Sequence, residues 1–269
     1  MKITVLVDNN TFIDKYYYGE PAVSYHLEID DKKILFDTGY SDIFLNNAEK
    51  LNIDLAEITH LVFSHGHNDH TNGIRYLDKM LSWQFVKLIA HPDCLLQKRV
   101  GKEYIGPPPE LKLLAGKAAT ILTKKPYQIS ENCVFLGEIA DRNDFESRVP
   151  IGEQLCDGVW HDDFVLDDSA LVCRTNEGLF IITGCSHSGI CNIIEQAKNI
   201  MNEDKVVGVI GGFHLLEQNV RLDKTISWLK QQQINNLYPC HCVSLAAKAQ
   251  MLTQFAIKEV GVGLTIKMD

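Results

Sequence analysis

Apolar residues along the chain fall into short runs separated by turn-forming residues and by segments of helical spacing. Ile3–Val7, Val23–Ile29, Lys33–Phe36, Leu61–Phe63, Phe85–Ala90, Cys133–Leu136, Ala170–Arg174, Leu179–Thr183 and Val206–Ile210 are the main runs. Several are rich in β-branched residues and bounded by Gly, Asp or Asn, which predicts strands. Ser41–Leu51, Ile190–Met201 and Leu222–Gln232 carry apolar residues at three- and four-residue spacing and read as helices. Asp30-Asp31-Lys32, between two early strands, signals a hairpin. Hairpins at the start are foreign to a doubly wound parallel fold, and later strands alternate with helices. The pattern therefore predicts an α/β layered protein with mixed sheets.

Length refines that picture to one large domain spanning 1–269. Within it, residues 97–126 stand apart. Gly106-Pro107-Pro108-Pro109-Glu110 lies in the middle with lysines on both sides, and no regular element runs across the prolines. The stretch reads as an insertion or flap over a site, or else as a surface loop.

Composition narrows the partners. A formal net charge of -9 provides no broad positive footprint for nucleic acid or anionic membranes. No apolar run approaches the ~20 residues of a membrane helix, and the run after Met1 is too short for a signal peptide. A cytoplasmic protein is the expectation. The eight cysteines, without a secretion signal, are expected as reduced thiols rather than a disulfide framework.

Candidate chemistry begins where Leu61-Val62-Phe63 runs into Ser64-His65-Gly66-His67-Asn68-Asp69-His70. Imidazole and carboxylate are ligands for zinc, iron or manganese, and Gly66 is expected to let the backbone turn tightly between two histidines. Four such groups within six residues after an apolar strand point to metal binding. Three later segments also deliver a histidine past a strand end: Gly184-Cys185-Ser186-His187, Gly211-Gly212-Phe213-His214 and Pro239-Cys240-His241-Cys242. His187 and His241 read as ligands. His214 reads equally as a ligand or as a contact to substrate or transition state. Cys185 reads as a thiolate ligand or a buried thiol, whereas Cys240 and Cys242 lack Cys-x-x-Cys spacing and read as packing beside His241. Asp37, in Phe36-Asp37-Thr38-Gly39 at another strand end, either orients a ligating histidine through its second N–H or caps a turn. His26, His60, His91 and His161 read as core or surface residues.

With these motifs in place the sequence resembles the metallo-β-lactamase superfamily, whose mark is the HxHxDH cluster from His65 to His70. FDTG at Phe36–Gly39, TGCSHSGI at Thr183–Ile190, GGFHL at Gly211–Leu215 and PCHC at Pro239–Cys242 follow in the family's order. These later motifs, with Gly137-Glu138-Ile139 and Asp144-Phe145-Glu146, are similar to the branch of the archaeal 7,8-dihydropterin-6-methyl-4-(ribofuranosyl)aminobenzene-phosphate synthase. The resemblance implies an αββα sandwich of two mixed sheets flanked by helices, with two metal ions at one edge. Carried over by position, His65, His67, Asp69, His70 and His241 match its ligands. The chain departs where many members place a bridging aspartate, since it has Cys185 there. Before Leu179 it offers only His161 in place of a further ligand histidine, a role that His187 is expected to fill.

The expected function is a metal-dependent hydrolase holding one or two divalent ions, zinc in the first place and iron or manganese otherwise. Activated water would attack an ester or phosphoester-type small molecule, with Asp69 orienting it and His214 stabilising developing charge or protonating the leaving group. The alternatives are a synthase-like condensation with loss of pyrophosphate, and metal-dependent binding or sensing without turnover. Two-iron redox chemistry is disfavoured because no electron-carrier domain is appended. The partner expected is a small molecule, phosphorylated or pterin-like, with no nucleic acid and no membrane; homo-oligomerisation stays open.

Overall fold

A computed structural model describes residues 1–234 and 236–269; Asn235, inside the apolar segment 234–238, lies outside them. The strands run in chain order as β1 (Lys2–Val7), β2 (Ser24–Ile29), β3 (Lys32–Phe36), β4 (His60–Val62), β5 (Lys87–Ala90), β6 (Lys98–Val100), β7 (Glu103–Tyr104), β8 (Ala119–Leu122) and β9 (Tyr127–Ser130). They continue with β10 (Cys133–Phe135), β11 (Glu153–Cys156), β12 (Val159–Asp162), β13 (Ala170–Thr175), β14 (Gly178–Thr183), β15 (Val206–Gly211), β16 (Asn236–Pro239) and β17 (Thr265–Lys267). Six α-helices intervene: α1 (Ile43–Lys50), α2 (Asn68–Thr71), α3 (Pro109–Ala115), α4 (Ile190–Met201), α5 (Val220–Gln231) and α6 (Leu245–Leu252).

Seven strands form one sheet in the order β17-β1-β2-β3-β4-β5-β8, and six form a second in the order β16-β15-β14-β13-β10-β9. Both are mixed. β1, β2 and β3 pair antiparallel, while β3, β4, β5 and β8 pair parallel. In the second sheet β14, β15 and β16 are parallel and the remainder antiparallel.

Period-two alternation sorts the strand residues onto two faces. Ile34, Phe36, Val62 and Ile89 point inward from the first sheet and meet Phe135, Leu171, Phe180, Ile182 and Ile210 from the second. The intervening Leu35, Leu61 and Leu88 point outward and pack with Phe44 and Ala48 of α1 and Leu111 and Leu114 of α3. On the far side Val172, Ile181 and Val209 pack against α4, α5 and α6 through residues such as Ile193, Ile194, Leu222, Leu229 and Met251. The protein is thus an αββα sandwich, each sheet covered by helices on its outer face.

A third sheet of four short strands, β12-β11-β6-β7, sits apart from the sandwich. Within 97–126, β6 and β7 belong to this sheet, whereas α3 and β8 join the helix layer and the edge of the first sheet. Pro109 occupies the first turn of α3, where its missing N–H costs nothing. Phe85, expected as the start of a strand, instead ends a 3₁₀ turn over Trp83–Phe85 before β5. All eight cysteines are free thiols. Among the described residues no helix is long and apolar enough to cross a membrane.

Candidate metal centre

β3, β4, β14, β15 and β16 deliver Asp37, the His65–His70 segment, Cys185 with His187, His214, and His241 to one place. The backbone there is bent sharply. Asp37, Ser186, His214 and His241 all adopt left-handed φ values, at 58°, 61°, 48° and 50°. Such conformations cost on the order of 1 kcal/mol or more for a residue with a Cβ, and they collect at functional sites. Gly66 has no such φ; its role is close approach, because a Cβ at that position would lie 2.5 Å from the carbonyl oxygen of Cys94. The expected reason, a tight turn, gives way to a steric one.

The hydrogen bonds of the histidines fix where their protons sit. Asp37 accepts from the Ser64 N–H (2.8 Å), from Ser64 Oγ (2.7 Å) and from His70 Nδ1 (2.7 Å). Since Ser64 Oγ–H is donated to Asp37, His65 Nδ1–H donates to Ser64 Oγ at 3.0 Å. His241 Nδ1–H donates to Asn9 Oδ1 at 3.1 Å, and Asp8 Oδ1 accepts the His241 backbone N–H. The Nε2 atoms of His65, His70 and His241 therefore all turn inward.

What they meet there are other atoms able to bind a metal. His65 Nε2 lies 3.0 Å from His67 Nδ1. His70 Nε2 and His241 Nε2 are each 3.2 Å from Cys185 Sγ, and 3.3 and 3.2 Å from Asp69 Oδ2. His187 has neither ring nitrogen hydrogen-bonded although both are buried, and His67 Nε2 is likewise without a partner. Burial, reinforced by the neighbouring imidazoles, keeps His65 and His187 neutral, their pKa values well below the usual histidine range; burial lowers that of His67 to about 4. So many nitrogen, sulfur and carboxylate donor atoms converging at these distances suit a cation lying among them.

Three overlapping groups have donor atoms all within 4.8 Å of one another: Asp69, His70, Cys185 and His241; His65, Cys185 and His187; and His65, His67 and Asp69. His65 is common to the last two groups, and Cys185 and Asp69 each link one of these to the first, so the residues fit metal binding. His65, His67, Asp69, His70, Cys185, His187 and His241 all come to this cluster. Asp37 lies directly behind His70 and also accepts the Ser64 backbone N–H from a strand end distant in sequence. His214 stands beside the cluster, its ring 4.4 Å from that of His187. His161 is exposed on β12 and takes no part. Cys240 is buried between the sheets, 3.1 Å from Tyr25 Oη, while Cys242, also read as packing, lines the cleft.

The cluster forms the floor of a cleft of about 330 Å³ whose rim carries Tyr40, Val100, Ile105, Ile151 and Leu216. His65 and His70 are fully buried beneath it. Residues to which the sequence assigned no role at the site support this floor. Asn9 and Asp8 hold His241, and Asp168 Oδ2 accepts from the Ser188 N–H (2.9 Å) and from Ser188 Oγ, next to His187. Glu146 accepts the backbone N–H groups of Cys191 and Asn192, both at 2.9 Å, and so caps α4. Asp8-Asn9-Asn10 carried the same signal as the other motifs, a polar cluster past a strand end.

Two sheets, their helix layers and an HxHxDH loop at the strand ends define a metallo-β-lactamase fold, and the chain belongs to the metallo-β-lactamase superfamily, whose family model matches residues 17–94. It is 32% identical to an uncharacterized protein of Methanocaldococcus jannaschii over 96% of this chain and 98% of the relative. It is 29% identical to the 7,8-dihydropterin-6-methyl-4-(β-D-ribofuranosyl)-aminobenzene-5'-phosphate synthase of the same organism, over 95% of this chain and 92% of that one. The crystal structure of Tm1679, described as a metal-dependent hydrolase of the β-lactamase superfamily, matches over the full length of both chains with a TM-score of 0.85 and 31% identity.

Proposed function

We propose that the protein is a metal-dependent hydrolase acting on an ester or phosphoester-type small molecule at the His65–His241 cluster. The observation that carries this reading is the inward convergence of acceptor atoms on a cleft floor, with Cys185 and Asp69 common to adjacent donor groups. His65, His67 and His187 would hold one cation and Asp69, His70 and His241 another, with Cys185 between them. Divalent ions so held, zinc in the first place, supply Lewis acidity and lower the proton affinity of water.

The chain's own residues then divide the remaining tasks. Burial opposes ionisation of Asp69, but His70 and His241 outweigh it and hold its carboxyl well below the usual range. An ionised carboxylate at the cleft floor can orient water and accept its proton. Burial, with Arg221 nearby, lowers His214 to about 4. His214 is neutral at pH 7 and suits hydrogen-bond donation to developing negative charge better than full proton transfer to a leaving group. Among the described residues lining the cleft none is a lysine or arginine, so an anionic group of the substrate would be met by the cations, and its apolar part by Val100, Ile105, Ile151 and Leu216.

A second reading has its own support. The full-length similarity to the M. jannaschii synthase favours a condensation in which the same cluster binds a pterin-bearing substrate. The two readings part on one assay. Purified protein is offered a panel of aryl esters and phosphodiesters, with and without chelation, beside His67→Ala. Hydrolysis is expected to fall by on the order of 100-fold on chelation and in the variant. A zinc-loaded protein inert on the whole panel, but forming product from a pterin donor and an arylamine acceptor, would replace the hydrolase with the synthase.

A further inference from the structure

Lys98 is completely buried, which is rare for a lysine. It sits on β6 of the small sheet, and its Nζ donates to Asp163 Oδ2 (2.9 Å) and to Asp167 Oδ1 (2.8 Å), two carboxylates that are also fully buried. Each aspartate then reaches the metal-binding loop. Asp167 Oδ2 accepts the Gly66 N–H at 2.7 Å, between His65 and His67. Asp163 Oδ2 faces His67 Nε2 at 3.9 Å, and that nitrogen is buried without another partner.

Three buried charges are costly to desolvate, and an apolar trio of similar volume would hold the small sheet in place without that cost. One lysine against two aspartates also leaves a net negative charge, directed at His67. A histidine that presents its Nδ1 lone pair to a cation carries its proton on Nε2, and a carboxylate behind that N–H fixes the ring and strengthens the ligand.

We propose that Lys98, Asp163 and Asp167 form a positioning network that sets His65 and His67 for one cation and leaves the Asp69–His70–His241 set to the other. The inference rests on the metal reading above and adds that the two positions are supported differently: His67 by the small sheet, His70 and His241 by Asp37 and Asn9 from the ends of β3 and β1, with Asp37 also reaching His65 through Ser64. Closure of Asp163 onto His67 Nε2 by about 1 Å would bring the pair to hydrogen-bond distance.

The test is zinc titration of the full-length chain against a chromophoric chelator. It compares wild type, Asp163→Asn, which keeps the shape of the side chain, Lys98→Met, and Leu27→Ala, which loosens the inter-sheet core far from the network. The expected result is two zinc equivalents in wild type. In Asp163→Asn and Lys98→Met one equivalent is expected about 10- to 100-fold weaker and the other unchanged. Leu27→Ala should bind as wild type despite its lower melting temperature. If Lys98→Met does not fold, Asp163→Asn decides alone. Equal weakening of both equivalents, or of neither, overturns the proposal. A wild type that binds no zinc overturns the metal reading itself, a different outcome.

Discussion

His70 and His241 are oriented through Nδ1, by Asp37 and Asn9, and replacing either partner leaves the ligand in place but its ring free to turn. Asn9→Ala is expected to weaken zinc binding about 10- to 100-fold with little loss of stability. Asp37→Ala should do at least as much, because Asp37 also anchors Ser64; competition titration of zinc measures both. A second residue-scale expectation concerns pH. His26 on β2 is buried with both ring nitrogens unpartnered, and burial lowers it to about 4. The unfolded chain therefore takes up a proton near pH 6.5 that the folded one refuses. Stability is fully present above that pH and is lost as the pH falls from about 6.5 towards 4, by on the order of 3 kcal/mol. His26→Leu should flatten that part of a stability-against-pH curve measured by urea unfolding; an unchanged slope would assign the loss to other groups.

Among the elements, α4 shows how the second sheet places His187. The helix starts at Ile190, three residues after His187, and the Glu146 carboxylate takes its first free N–H groups. Glu146→Ala should cost about 1–2 kcal/mol in thermal or urea unfolding. It should also loosen His187, seen as weaker zinc binding in the same preparation. The limits of α4 were legible in the sequence because its apolar spacing is strong and its face fully buried. β11 and β12 were not: their side chains are mostly exposed or half-exposed, so no period-two burial marks them. Their one local signal is Asp157-Gly158, both at positive φ, a tight hairpin turn.

At the scale of the whole molecule, the apolar strands and the polar residues past their ends belong to one design. Alternation places Leu35, Leu61 and Leu88 under one helix layer and Phe36, Val62 and Ile89 between the sheets. The parallel strands then release their C-terminal residues at a common edge. The candidate ligands were legible because each follows such a strand directly. Lys98, Asp163 and Asp167 were not, because nothing local distinguishes a buried lysine or aspartate from an exposed one, and only the docking of the small sheet against the His65–His70 loop brings the three together. The departure at Cys185 was legible as a residue change, but its consequence, a thiol shared by two donor groups, needed the fold. The central claim is that turnover depends on cations held by this cluster. The most direct test is hydrolysis of the ester and phosphodiester panel by one preparation, measured before chelation, after complete metal removal and after zinc is restored. Activity lost on removal and recovered on restoration is the predicted result; undiminished turnover by metal-free protein would contradict it.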